Sequence, residues 1–390
     1  MKAAVTIARI IVGLLFIFSG LIKANDPHGL SYKMQEFFEL WRMERFNSWT
    51  LAMSILMNAF EIIAGFALLL GWRIKLFSWL LLLLILFFTF LTGYTYVTGK
   101  PTNCGCFGDC LLITSKTSFL KDVVLTLLIG FLFVRQKHIK PLLPNKPNTI
   151  LMLLVIAFSF GIQWYTLNYL PVFDCLPYKK HKNINAQMQI PADAVPDSTQ
   201  ITYVYKKDGK NIEFTADKFP DDFASPPYEF VKRYDKILKH GKNNIPPIKG
   251  FVLSGNTDTD STQYVLSQPY ALVIFCENFS TPVSKWKGDF EKLYAAAKAK
   301  NIPAFAVTTQ LTEAQKNFTS TSFKDITIYK CDFTAVRTAA RSNPTIFLLK
   351  QGTIEDKQSY RRMDILQKQI EAIPVQQPAS SIQKPAPSNE

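Results

Sequence analysis

Long apolar runs are almost absent after residue 171, and charged residues are scarce before it. That division excludes a single soluble core, although the average apolar content of 48% looks ordinary. A basic stripe interleaved with aromatic side chains is also missing. The net charge is +14, but the lysines of the second half are scattered rather than clustered, which argues against a nucleic-acid surface and suits a juxtamembrane surface near anionic lipid. No small-residue cleavage site follows the first apolar run. Lys23, Asp26 and Pro27 come instead, so the run reads as a retained anchor rather than a signal peptide. No inverted repeat is evident, and Glu61 is taken as the one intramembrane charge, which weakens a transporter reading.

What remains is a chain of 390 residues, long enough for more than one domain. Apolar runs at Val5–Ile22, Leu51–Gly71, Ser78–Val97, Phe119–Val134 and Thr149–Tyr169 are each of the length a bilayer requires. Lys2, then Arg73 and Lys75, then Arg135, Lys137, Lys140 and Lys146 give a cytoplasmic set if the N-terminus is inside. Everything beyond Tyr169 then lies on the outer side. Segment 23–49 mixes Phe37, Phe38, Leu40, Trp41 and Met43 with charges, as a helix does in the interface or on the bundle top.

After an irregular stretch, Ile201, Tyr203 and Tyr205 alternate, Asp208-Gly209 turns the chain, and Ile212 and Phe214 return as a hairpin. Strands are expected at Tyr270–Cys276, Ile302–Val307, Ile326–Tyr329, Thr345–Leu349 and Thr353–Glu355. Helices are expected at Lys285–Lys300, Ala335–Arg341 and Met363–Ile373. Such alternation describes a small α/β domain. From Pro374 onward the composition is that of a disordered tail.

The densest chemistry is Cys104-Gly-Cys106-Phe-Gly-Asp-Cys110, before the fourth span, with Cys175 following the fifth on the same face. Three readings are open: a structural disulfide fastening the loop, thiol–disulfide exchange, and a metal site. Metal is the weakest, because no histidine neighbours the cluster in sequence, and none is assigned. Glu61, inside the second span, is a candidate functional acid. It could equally fix packing by bonding Ser19 or Asn58, or pair with Lys23 if the helix ends align.

These residues resemble the DoxX/MauE group of membrane proteins. The first span, from Gly13 through Ser19-Gly20 to Lys23 and Asp26-Pro27, is similar to that group's N-terminal signature. Glu61 with Gly65 and Gly71 matches its second span, and Cys104-Gly-Cys106-Phe-Gly108 is similar to the MauE-type motif. The resemblance covers about residues 1–140 and implies a four-helix bundle, with the fifth span, 141–170, as an addition. It also implies that Cys104 and Cys106 are exchanging thiols, with Cys110 or Cys175 as a resolving partner. A quinone is the implied electron carrier, near Glu61, and the implied activity is a quinone-linked thiol–disulfide oxidoreductase of the bacterial inner membrane acting on an extracytoplasmic client.

Residues 266–373 resemble a thioredoxin-like domain, reached through an extracytoplasmic linker and hairpin region, 171–265. Ser342-Asn343-Pro344-Thr345 is similar to the cis-proline turn, so Pro344 marks a candidate binding edge. Where the dithiol belongs, the chain reads Ser280-Thr281-Pro282-Val283, so two-cysteine exchange is excluded there. Cys276 reads as a buried small hydrophobe, and Cys331 receives no role. The whole is expected to be a multi-domain chain: a transmembrane helical bundle followed by an α/β domain that binds rather than catalyses. The competing reading is a non-catalytic membrane scaffold with a permanent staple.

Overall fold

The computed structural model describes residues 2–376, apart from 102–104, 106–107, 109, 112, 221–222, 224–227, 240 and 256–258. Among the described residues, five helices are long and apolar enough to cross a membrane. They are α1 (Lys2–Asn25), α3 (Thr50–Leu70), α4 (Ile74–Thr98), α5 (Ser115–Val134) and α6 (Asn145–Tyr169), and each contains or closely overlaps the apolar run read from sequence. Between α1 and α3 lies α2 (Pro27–Leu40), which Asp26 caps by accepting a hydrogen bond from the Gly29 N–H, with Pro27 at the first helical position.

Glycine sets how closely α1 and α3 approach. A β-carbon on Gly65 would lie 2.7 Å from the Gly13 carbonyl oxygen, and one on Gly20 would lie 2.9 Å from the Ile62 nitrogen. At the far end from α2, the Arg9 guanidinium donates to the carbonyls of Leu68 (2.7 Å), Leu69 (2.5 Å) and Lys140 (3.2 Å). It thereby satisfies the exposed C-terminus of α3.

Beyond α6 a short helix, α7 (Ile184–Gln187), precedes the strands β1 (Ser198–Lys207), β2 (Lys210–Thr215) and β3 (Glu229–Lys239). The expected hairpin is present: Tyr205 pairs with Ile212, and Asp208 and Gly209 both take positive φ in the turn. It gains a third strand, giving the antiparallel order β2-β1-β3. Sequence reading did not anticipate β3, because its side chains are exposed throughout and no single face is apolar.

Next come α8 (Thr262–Leu266), β4 (Ala271–Cys276), α9 (Lys287–Ala299), β5 (Ala304–Thr308) and α10 (Leu311–Phe318). They are followed by β6 (Thr327–Lys330), α11 (Phe333–Ala339), β7 (Thr345–Lys350), β8 (Thr353–Ser359) and α12 (Met363–Ala372). The sheet order is β6-β5-β4-β7-β8, parallel across β4, β5 and β6 and antiparallel at β7 and β8. Period-two alternation along β4 divides the core. Val273 and Phe275 pack with Tyr178, Phe251 and Phe347, while Leu272, Ile274 and Cys276 pack under α9 and α12 around Trp286 and Phe290. The tail expected from Pro374 falls almost wholly outside the described residues.

Candidate functional site

Chemistry-bearing residues gather at one end of the bundle. Cys110 and Cys175 form a disulfide, with α-carbons 4.9 Å apart, joining the loop before α5 to the segment after α6. Cys104 and Cys106 lie outside the described residues. Gly105, between them in sequence, has φ +69°, and a β-carbon there would meet the Lys33 side chain of α2 at 2.9 Å. Cys276 and Cys331 are both buried in the α/β domain, where burial pushes each thiol up to about 12. Neither forms a thiolate near neutral pH.

Below this loop, Lys23 of α1 and Glu61 of α3 form an ion pair, both almost fully buried. Glu61 Oε2 has no hydrogen-bond partner among the described residues. The Lys23 ammonium also sits 5.0 Å from the centroid of the Phe88 ring. Of the partners weighed for Glu61 from sequence, Lys23 is the one that forms an ion pair with it. Asn58 turns instead to Gln163 of α6 (3.2 Å) and to the Lys23 carbonyl.

Glu61 is not the one intramembrane charge. Lys121 and Asp122 of α5 form a second pair at 2.9 Å, and Thr92 of α4 donates to Asp122 at 3.0 Å. Both charges were visible inside the fourth apolar run, but adjacent opposite charges cancel in any local sum, which hid them. Together with Lys23 and Glu61 they face a common cavity among α1, α3, α4 and α5.

A further polar group joins α2 to the α/β domain. Tyr32 donates to Glu277 Oε2 at 3.0 Å, and Arg341 pairs with Asp26 at 2.8 Å. The guanidiniums of Arg337 and Arg341 lie 4.5 and 5.1 Å from the Tyr32 ring centroid. His28 stacks on Tyr32 at 5.7 Å. Burial, and secondarily Arg341, lowers the His28 pKa to about 4. Burial raises the Glu277 carboxyl, partly offset by Tyr32, Arg337 and Arg341.

This contact is at the candidate cis-proline edge. The Asn343–Pro344 peptide is cis, and the Asn343 side chain accepts from the Glu277 N–H (3.1 Å) and donates to the Asn278 carbonyl (2.7 Å). The turn after β4 holds Ser280, whose N–H and hydroxyl both donate to the Asn278 side chain. None of the α2 partners was legible from sequence, since Asp26 and Tyr32 meet residues some 245 or more positions away.

These features define a multi-pass membrane protein with an α/β region held against one end of its helices. Residues 1–135 match the family model of methylamine utilisation protein MauE, so the chain carries a MauE-type membrane domain over about its first third. Residues 192–240, which span β1 to β3, match a domain of unknown function. No curated protein and no solved structure matches the chain.

Proposed function

We propose that this protein is a thiol–disulfide exchange or maturation factor of the cell envelope, acting through Cys104 and Cys106. The observation that carries the reading is the disposition of the other four cysteines. Cys110 and Cys175 are joined to each other, and Cys276 and Cys331 are buried with raised pKa values. Exchange chemistry therefore falls to the pair inside the MauE-type loop. A thiolate of that pair attacks one sulfur of a client disulfide, and the client's other sulfur leaves as a thiolate. The second loop cysteine then attacks the mixed disulfide, so the client departs as a dithiol with two electrons more and the loop is left as a disulfide. The steps run in reverse for client oxidation.

The Cys110–Cys175 bridge supports an oxidising compartment on the face that carries the α/β domain. We accordingly place the N-terminus in the cytoplasm and that domain in the periplasm of a bacterial inner membrane. The passage of β4 into the Ser280–Val283 turn and α9, and of Pro344 into the β7–β8 hairpin, supports a thioredoxin-like domain without its dithiol. Its proline edge serves binding, and the partner it meets in this structure is α2 of the same chain.

Trapping tests the reading. A Cys106→Ser or Cys104→Ser variant should accumulate a mixed disulfide with an exported protein, seen as a mass shift lost on reduction. If both variants stay unlinked and the double variant leaves the redox state of exported proteins unchanged, the exchange reading fails. The scaffold reading is favoured by the same Cys110–Cys175 bridge, seen as a staple between the loop and the fifth helix.

A further inference from the structure

We infer that the cleft between the end of α6 and strand β8 is a binding site for the headgroup of an anionic phospholipid, such as phosphatidylglycerol, in the leaflet on that side of the membrane. The site does not depend on the thiol chemistry. Its level is set by α6, whose last turns carry Trp164 and Tyr165, both exposed, with the rings of Tyr165 and Tyr169 stacked 5.1 Å apart. Such amphipathic rings sit where hydrocarbon gives way to headgroups. Just beyond them, Val172 and Phe173 are 54% and 73% exposed. Their backbone is pinned in place. The Asn25 side chain at the end of α1 accepts from the Phe173 N–H (2.9 Å) and donates to its carbonyl (2.8 Å), and Cys175 is bonded to Cys110. An apolar pair held outward at this level meets lipid rather than water.

Beside them opens a cleft of about 390 Å³, within the range of small-molecule sites. Leu170, Pro171 and Val172 line its apolar side, and Lys179, Lys180 and Lys357 its basic side. Charge selects the occupant. Lys357 is buried, pairs with Asp174 (2.7 Å) and donates to the Tyr178 carbonyl (2.7 Å), while Lys180 pairs with Asp356. Lys179 is exposed and has no ion-pair partner among the described residues, so the cleft keeps one surplus ammonium. An ammonium binds phosphate as a point charge. An apolar side at bilayer level, joined to one surplus positive charge, matches an amphiphile whose phosphate carries one negative charge. Phosphatidylcholine carries a compensating cation of its own and gains less from Lys179. A headgroup in this cleft touches both the end of α6 and β8, and so ties the α/β domain to the membrane surface.

The test uses the full chain in a nonionic detergent and native mass spectrometry, with dioctanoyl phosphatidylglycerol as probe and dioctanoyl phosphatidylcholine as the comparison. Phosphatidylglycerol should bind saturably, and the choline lipid about tenfold more weakly. Lys179→Glu reverses the surplus charge without breaking an ion pair. It should weaken phosphatidylglycerol binding about tenfold and leave the choline lipid unchanged. Lys137→Glu, at an exposed position beyond the opposite end of α5, should change neither. Equal binding of the two lipids, or an equal loss in Lys137→Glu, means nonspecific attraction to a basic protein and overturns the inference. Displacement of the lipid by an equal concentration of glycerol phosphate also overturns it, because the cleft then takes a free phosphate rather than a membrane lipid. The wild-type comparison of the two lipids decides the matter even if Lys179→Glu does not fold.

Discussion

Tyr32 donates a hydrogen bond to Glu277 at 3.0 Å, across 245 residues of sequence, and through it α2 holds the α/β domain beside its cis-proline turn. Because Glu277 is half-buried, Tyr32→Phe leaves its carboxyl short of a donor, at a cost of about 1 kcal/mol. Arg341→Met removes the partner of Asp26 from a pair in which Arg341 is 5% exposed, and should cost about 3–5 kcal/mol. Both variants should loosen the domain from the bundle. Limited proteolysis of the 170–183 segment should speed up, and hydrogen exchange in α2 should rise, more for Arg341→Met. Unchanged protection in both would show that the contact contributes nothing to docking.

The same contact should be pH-dependent. His28 has its pKa lowered from 6.5 to about 4 in the folded state. Above pH 6.5 the ring is neutral in both states and adds no pH dependence. As pH falls from 6.5 to about 4, the released or unfolded state takes up a proton that the docked state refuses, so docking weakens. The full shift corresponds to at most about 3 kcal/mol, less for the part of the ring that water reaches. Glu277 runs the other way. Its raised pKa means that docking loses stability as pH rises from 4.5 through the folded value. His28→Phe should remove the loss between pH 6.5 and 4 while leaving the Glu277 contribution, as read by thermal unfolding across that range.

Within the bundle, removing one member of the Lys23–Glu61 pair should be much worse than removing both. Lys23→Met leaves a buried carboxylate alone and should destabilise by about 3–5 kcal/mol. Lys23→Met with Glu61→Leu should recover most of that loss. Unfolding in detergent, arranged as a double-mutant cycle, reads the coupling directly. A double variant as weak as the single one would mean that the pair organises something beyond its own charges.

Gly65→Ala tests the close approach of α1 and α3. The added methyl meets the Gly13 carbonyl oxygen at 2.7 Å and the Ile17 nitrogen at 3.0 Å, both backbone atoms that a rotamer change does not move. The helices must separate, with a cost of about 1–3 kcal/mol. Gly130→Ala is the control: a β-carbon there meets nothing within 4 Å and should be neutral or mildly stabilising.

Much of the membrane half was legible because its constraints are local. Bilayer-length apolar runs became α1, α3, α4, α5 and α6. The signature residues also found specific work: Gly13 and Gly65 at the helix contact, Lys23 with Glu61, and Asp26 as both the cap of α2 and the partner of Arg341. Of the larger sheet's strands, β4, β5 and β7 were legible because they are buried on both faces and so read as short continuous apolar runs. What escaped was set by tertiary context. Strand β3 has no buried face, α10 shows its amphipathic pattern over only eight residues, and Lys121–Asp122 masks two charges by adjacency. The exchanging role assigned to Cys104 and Cys106 rests on motif and on the accounting of the other thiols.

Cys110 lies within the stretch that matches the MauE family, and its sulfur partner at Cys175 lies beyond it. The covalent state of the loop is therefore a property of the extended chain rather than of the four-helix part. A protein ending after residue 135 would carry Cys110 as an extra thiol beside Cys104 and Cys106. By adding a fifth helix and the short segment that follows it, this chain takes that thiol out of play and leaves an even number in the loop.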